Sequence, residues 1–590
     1  MLRGWRSCAG GGGPVPGVEV LCRGWRPGAP GSRSSARRWR SGAPGTEAPA
    51  RAAIPRREGR RSRAGGAAPR TGGRRRRRAG RRSRRAARGP GGRPEARGAA
   101  PTRPRQNART QCPAAKIRVT GAPEAPLRAA LGALRTELGV PGTFPPEALA
   151  EAERAATAPV PPSYDATDIP LFTIDPPTAT DLDQAMHLSR HGGGFRVRYA
   201  IADVAAFVVP GGALDAEAHR RVNTLYFPDE KVPLHPPRLG EGAASLLPDQ
   251  TCPAVLWTID LDADGRTAAV DVRRALVRSR AQLDYEGVQK QIDTATAEEP
   301  LALLEDIGRL RENLEIERGG ISLDVPEQEI VEHDHTYALA YRAPLPADRW
   351  NAQISLLTGM AAAELMLAHG TGILRTLPAA PDGAVGRLRR TAHALRVDWP
   401  HHVSYARLIR SLDPRLPHHA AFLLECTTLL RGAGYTTFRD GALPAITTHA
   451  AVAAPYAHCT APLRRLADRY ASEICLAAVA GQAPPDWVLA ALDDLPKEMA
   501  DGSHRAATVE RECVDIVEAA LLKDRVGDVF DGCVVDVKER EPTVGTVQLE
   551  SPAVVARIDG GTAKLPLGER LRVRLTQADP GTAKVRFAPA

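Results

Sequence analysis

Asp175, Asp181 and Asp183 fall within nine residues of one another in the stretch FTIDPPTATDLDQA, residues 172–185, and Gln184 follows directly. Carboxylates gathered this closely repel one another and lose hydration when a fold collects them, so a positive group normally accompanies them. The chemistry such a cluster suits is phosphodiester hydrolysis. One divalent cation polarises the phosphoryl group, and a second, roughly 3.5–4 Å away, generates the nucleophile and steadies the leaving oxygen. Hard oxygen ligands favour Mg2+, and several carboxylates on one short loop can bridge two ions. Aspartates in stretches rich in Pro and Thr also cap turns, and spacing alone does not choose between the two roles.

A second constellation is YAHCTAPLRRLADRY, residues 456–470. Thr460, Pro462, Arg464 and Arg465 at the start of a helical pattern form a compact cationic site, and a guanidinium can grip a phosphate bidentately. Taken alone, paired arginines usually make surface ion pairs; beside a carboxylate and metal centre they clamp transition-state charge. A third candidate, DLDADG, imitates the first half of a calcium loop with Asp260, Asp262, Asp264 and Gly265. Its twelfth position is Asp271 rather than Glu, and its flanks read as strands where helices are required, so the spacing predicts a hairpin turn. A structural calcium-binding protein is the distant alternative that these Asp-rich loops leave open.

Stepping outward, 590 residues allow roughly three or four domains of ~150 residues. No run of 18 apolar residues exists, and the start of the chain lacks the apolar run of a signal peptide, so the expectation is a soluble, cytoplasmic protein without a membrane partner. The nine cysteines are scattered singly, against a disulfide framework or a structural zinc site. The net charge of +12 is uneven: residues 1–110 hold 30 Arg, no Lys and 4 Glu, and the rest is acidic. That composition cannot build a core, and residues 1–112 are expected to be a disordered extension. It reads either as a polycationic arm for nucleic-acid phosphates or as a dispensable extension whose arginines reflect coding bias.

The elements that must position the candidates follow from periodicity. PLRAALGALRTEL and PPEALAEAERAATA predict two short helices within a helical segment and linker over 113–164. FRVRYAIADVAAFV and AVLWTIDLDADGRTAAVDVRRALV read as strands, and RLRENLEIERGG as a helix. RWNAQISLLTGMAAAELMLAHGTGI, apolar nearly all round, predicts a helix buried in a large core. The last 65 residues or so, 526–590, are short strands separated by Gly, Pro and Asp, which suits a small OB-like β-barrel. The fold class is α+β.

IDPPTATDLDQA, YAIADVAAFV, RRVNTLYFPDEKVPLHPPRLGEGAASLLPDQ and YAHCTAPLRRLADRY, in that order and spacing, resemble the catalytic RNB domain of the ribonuclease II family, over about residues 165–480. The resemblance implies an RNB domain over 165–525 and an RNA-binding OB-type module after it. The activity it implies is processive 3′→5′ hydrolysis of single-stranded RNA to nucleoside 5′-monophosphates, with two Mg2+; Mn2+, which binds such ligands somewhat more tightly, is the expected substitute where Gln184 leaves one carboxylate fewer. It makes Asp175, Asp181, Asp183 and Gln184 the metal cluster, with Asp183 and Arg464 catalytic. Tyr226 would pack on the 3′-terminal base, a sequence-tolerant contact, and Arg464, Arg465 and Glu510 would contact the RNA. Two departures stand out. Gln184 occupies the place of a fourth aspartate, and Thr358 and Gly359 fall where the family's helix carries paired glutamates. The alternative function is a catalytically weak RNB-fold protein that binds RNA. With only about 50 patterned residues ahead of the RNB segment, two cold-shock-type domains are not expected there.

Overall fold

The computed structural model describes residues 124–590 apart from 160, 324–326, 334–335, 343, 415, 539, 550 and 583. The arginine-rich extension lies outside the described residues. Five strands, Leu171–Ile174, Gln184–His191, Gly194–Ala202, Thr251–Leu261 and Thr267–Leu283, close into a barrel in that order. Neighbours are antiparallel except at the seam, where the first strand runs parallel to the last and Ile174 pairs with Leu283. The alternation in GFRVRYAIA sets the middle strand: Phe195, Val197, Tyr199 and Ile201 enter one apolar core, while Ala200 and Ala202 enter another. A strand buried on both faces at one end is a rigid place from which to hang a site.

The DLDADG stretch is a hairpin turn between two of these strands. The Asp262 side chain accepts from the Asp264 and Arg266 amides, and Asp260 takes a bidentate pair from Arg196. Neither flank is helical, so the calcium-loop imitation ends there.

Helix Pro346–His369 runs through the core beside the barrel, as its all-round apolarity predicts, and ends at Gly370, whose φ of 82° favours glycine. Thr358 on this helix is fully buried and donates to the Ile354 carbonyl. At Gly359 a Cβ would sit 2.3 Å from the Tyr456 ring and 2.6 Å from the Ala457 carbonyl. Neither position has room for a glutamate, so paired glutamates have no counterpart at these two residues.

The two short helices near the start of the described chain are Glu124–Glu137 and Pro146–Thr157. Leu127, Leu131 and Leu134 of the first pack with Leu225, Phe227 and Val232 and with Val509, Cys513 and Val517 of the long helix Leu495–Leu522. The second lies on helix Ala213–Arg221, and its Glu151 accepts from the Ala213 and Leu214 amides. A carboxylate from a neighbouring helix thus satisfies free N-terminal donors. The chain ends in a second closed five-stranded barrel of the OB type, Val529–Lys538, Glu541–Leu549, Val554–Asp559, Arg570–Asp579 and Lys584–Pro589. Ala519 and Leu522 of the long helix belong to its core.

Candidate active site

The acidic loop leaves the barrel seam at Asp175, whose amide still donates to the Leu283 carbonyl. It re-enters at Gln184, the first residue of the next strand. Between them Leu182 is fully buried, so in an extended chain its neighbours Asp181 and Asp183 share the opposite side. Ser245 stitches the loop down: its hydroxyl receives the Leu182 amide at 2.9 Å and donates to the Thr180 carbonyl at 2.7 Å.

Asp183 is 1% exposed and takes two donors from a segment some 280 residues away, the Leu463 amide at 2.7 Å and Arg464 Nε at 2.6 Å. Burial pushes its carboxyl up to about 7, against the pull of Arg464, with Asp181 adding to the rise. Asp175 is raised for the same reason, burial outweighing Arg464. Burial opposes the charge on Arg464, yet Asp183, Tyr226, Asp181 and Asp175 together hold the guanidinium well above its ordinary value. One face of that guanidinium is spent on Asp183; Nη2 is buried with no hydrogen-bond partner. A buried unpaired donor is costly, and this one is left able to take a ligand oxygen.

Arg465 does not share this role. Its guanidinium binds Asp468 through Nε at 2.5 Å and Nη2 at 2.7 Å, and Asp468 also receives the Ala461 amide. The pair closes the turn that presents Arg464. Tyr226 sits on a two-pair hairpin, Leu225–Tyr226 with Lys231–Val232, and donates its hydroxyl to Asp181 at 3.3 Å. Glu510 is half-buried midway along helix Leu495–Leu522, near Cys513. Gln184 is held at both ends of its amide: Nε2 donates to the Thr460 carbonyl, and Oε1 accepts from the Tyr199 hydroxyl at 3.2 Å. Tyr199 continues to Ser355 on the buried helix at 2.8 Å.

Lys231 was not singled out from the sequence, although its ammonium lies 3.2 Å from Asp181. A hairpin reading of LYFPDEKV would have paired it with Tyr226 and found it. Ser245, Tyr199 and the Thr460 carbonyl carry no sequence signal, because their roles depend on residues far along the chain.

Residues 163–480 match the RNB domain, and residues 528–590 match the RNase II-type exonuclease C-terminal S1 domain. The chain belongs to the ribonuclease II family. Ribonuclease R of Aquifex aeolicus is 27% identical over 457 residues, covering 70% of this chain and 63% of that protein. The chain spans about half to two thirds of the length of the curated relatives it matches along most of its own. Among solved structures, Mycoplasma genitalium RNase R in complex with ribose-methylated single-stranded RNA superposes with a TM-score of 0.70 at 19% identity, covering 79% of this chain and 78% of that one. Yeast Ssd1, a pseudonuclease, shares the fold with a TM-score of 0.55 at 17% identity, over 72% and 54% of the two chains. Ribonuclease II family enzymes are nucleases that generally use divalent metals.

The donor set suits such an ion. Asp175 and Asp183 are buried carboxylates whose charge Arg464 alone does not compensate, and every candidate ligand atom is a hard oxygen. Among the described residues, no three Asp, Glu, His or Cys side chains form a ready-made metal cluster. Asp181 is instead turned to Lys231 and Tyr226. No described helix is long and apolar enough to cross a membrane.

Proposed function

We propose that the protein is an exoribonuclease that hydrolyses single-stranded RNA from its 3′ end to nucleoside 5′-monophosphates. The single observation that carries this is Arg464, fixed on Asp183 through Nε with Nη2 left buried and unpartnered among the aspartates of the RNB domain. In this reading Nη2 donates to an oxygen of the scissile phosphate, where a donor placed in a dry site acts more strongly than in water. Asp175 and Asp183 would hold a divalent ion such as Mg2+, which would supply polarisation of the phosphoryl group and a lowered pKa for water. Asp183 also fixes the guanidinium, and Arg465 with Asp468 fixes the turn that carries it. Tyr226 offers its ring to the terminal base while its hydroxyl stays on Asp181. The 3′ polarity and processive action rest on membership of the family.

A second reading, an RNB-fold protein that binds RNA and degrades it poorly, is favoured by Gln184. Its amide is committed to Thr460 and Tyr199, so the site has three aspartates rather than four. The test uses oligoribonucleotides labelled at either end, with Mg2+ or a chelator. Mononucleotides released from the 3′ end only with Mg2+ support the first reading. Retarded but intact RNA would establish the second.

A further inference from the structure

The short hairpin beside the acidic loop brings a second basic group to it. Lys231 Nζ lies 3.2 Å from Asp181 Oδ1 and 2.6 Å from Glu241 Oε1. Its ladder partner Tyr226 donates to the other oxygen of Asp181, Oδ2. Both oxygens of that carboxylate are therefore engaged by one hairpin, whereas Asp183 is engaged by Arg464 and the Leu463 amide. Glu241 comes from the turn Leu239–Ala243, in the same stretch as the Ser245 that pins the loop. Lysine, Asp181 and Glu241 are 24%, 13% and 28% exposed, so this triad stands at the mouth of the site, within reach of hydrated ions.

Charge decides what the triad does. With every carboxyl ionised, as metal ligation requires, Asp175, Asp181, Asp183 and Glu241 bring four negative charges, and Lys231 and Arg464 bring two fixed positive ones. The remaining −2 matches one divalent cation. Without the lysine the remainder is −3 and Oδ1 of Asp181 is released, Oδ2 staying with Tyr226, which suits a second ion. A strongly hydrated ammonium is a point charge that competes well for a carboxylate oxygen.

We propose that Lys231 is a built-in cation of this site, occupying Asp181 where a second divalent ion would otherwise bind. The protein then holds one divalent ion tightly and takes a second only by displacing the lysine. This rests on the metal-dependent nuclease reading above and adds the number of ions the site retains.

The experiment titrates the full chain with Mn2+ alone, without RNA, by electron paramagnetic resonance and calorimetry. The parent should show one tight ion and a second at least about tenfold weaker. Lys231→Met should tighten the second by about tenfold or more. Lys231→Arg keeps the charge and should behave as the parent. Glu241→Gln leaves the lysine to Asp181 alone and should weaken the second ion further; it decides the matter if Lys231→Met does not fold, which melts in chelator reveal. Superimposable isotherms for parent, Lys231→Met and Glu241→Gln overturn the role of Lys231. A parent that releases mononucleotides and binds Mn2+ while the variants match it overturns this inference alone. A parent that binds no Mn2+ and releases no mononucleotides overturns the function reading with it.

Discussion

Asp183 joins two distant parts of the chain, since the same carboxylate takes the Leu463 amide and orients Arg464, and in the proposed function it would also hold the metal. Asp183→Asn should reduce hydrolysis by about a thousandfold or more in end-labelled oligoribonucleotide assays. RNA binding should stay within a few fold, because many contacts share the ground-state grip and few share the transition state. The same residue gives a pH signature in the metal-free protein. Its folded pKa of about 7 stands above the ordinary carboxylate value, so the folded state retains a proton that the unfolded chain has released. Stability from this group is present at low pH and is lost as pH rises from about 4 through about 7, at up to about 1.4 kcal/mol per pH unit. Thermal melts in chelator should show that slope in the parent. In Asp183→Asn the slope should be shallower, what remains coming from other buried carboxyls such as Asp175, whatever the offset between the two proteins.

At the scale of elements, the hairpin carrying Tyr226 and Lys231 has only two ladder pairs, and a ribbon that short is not stable alone. Helix Glu124–Glu137 supplies what the ladder lacks. Arg135 takes Asp229 with two parallel bonds of 2.9 Å, reaches Glu230 at 3.1 Å and lies 4.9 Å over the Phe227 ring. Arg135→Ala strands the mostly buried Asp229 and should cost about 1–3 kcal/mol in denaturant melts. Asp229→Ala added to it should recover part of that loss, with a coupling of about 1 kcal/mol or more in the double-mutant cycle. The elements themselves were largely legible: alternation marks Gly194–Ala202, all-round apolarity marks Pro346–His369, and helical spacing marks both early helices. Closure of the first barrel was not, because Leu171–Ile174 meets Ser279–Leu283 by parallel pairing across more than a hundred residues. Nor was the full length of Leu495–Leu522. It includes Gly502, a poor helix former that is needed where the helix meets Val222 and Asn223 too closely for a Cβ. Of the candidate site, the three aspartates are grouped by residue type and spacing and Arg464 is singled out by the resemblance, and the fold brings all four near one another. The separate fates of Arg465 and Gln184 could not be read from the sequence, since Asp468, Thr460 and Tyr199 decide them through the folded turn.

Over the whole molecule, helix Leu495–Leu522 is a strut about 42 Å long. It packs on the Tyr226 hairpin through Val509, Cys513 and Val517 and closes the terminal barrel through Ala519 and Leu522. The terminal barrel turns Arg570, Arg572, Arg574 and Arg586 outward. The acidic remainder of the chain contrasts with the 30 arginines of residues 1–110. If those arginines act as a polycationic arm, deleting residues 1–112 should weaken RNA binding and flatten its dependence on salt, measured as the slope of log K against log salt. An unchanged slope would remove the arm from RNA binding. The long span between Asp183 and Arg464 also acts in time. A ribosome adding about 5–20 residues per second needs roughly 15–60 s to pass from one to the other. Throughout that interval the nascent chain carries its acidic loop without the guanidinium that pairs with Asp183, so in the proposed reading the growing polypeptide would stay silent toward RNA until Arg464 has been made.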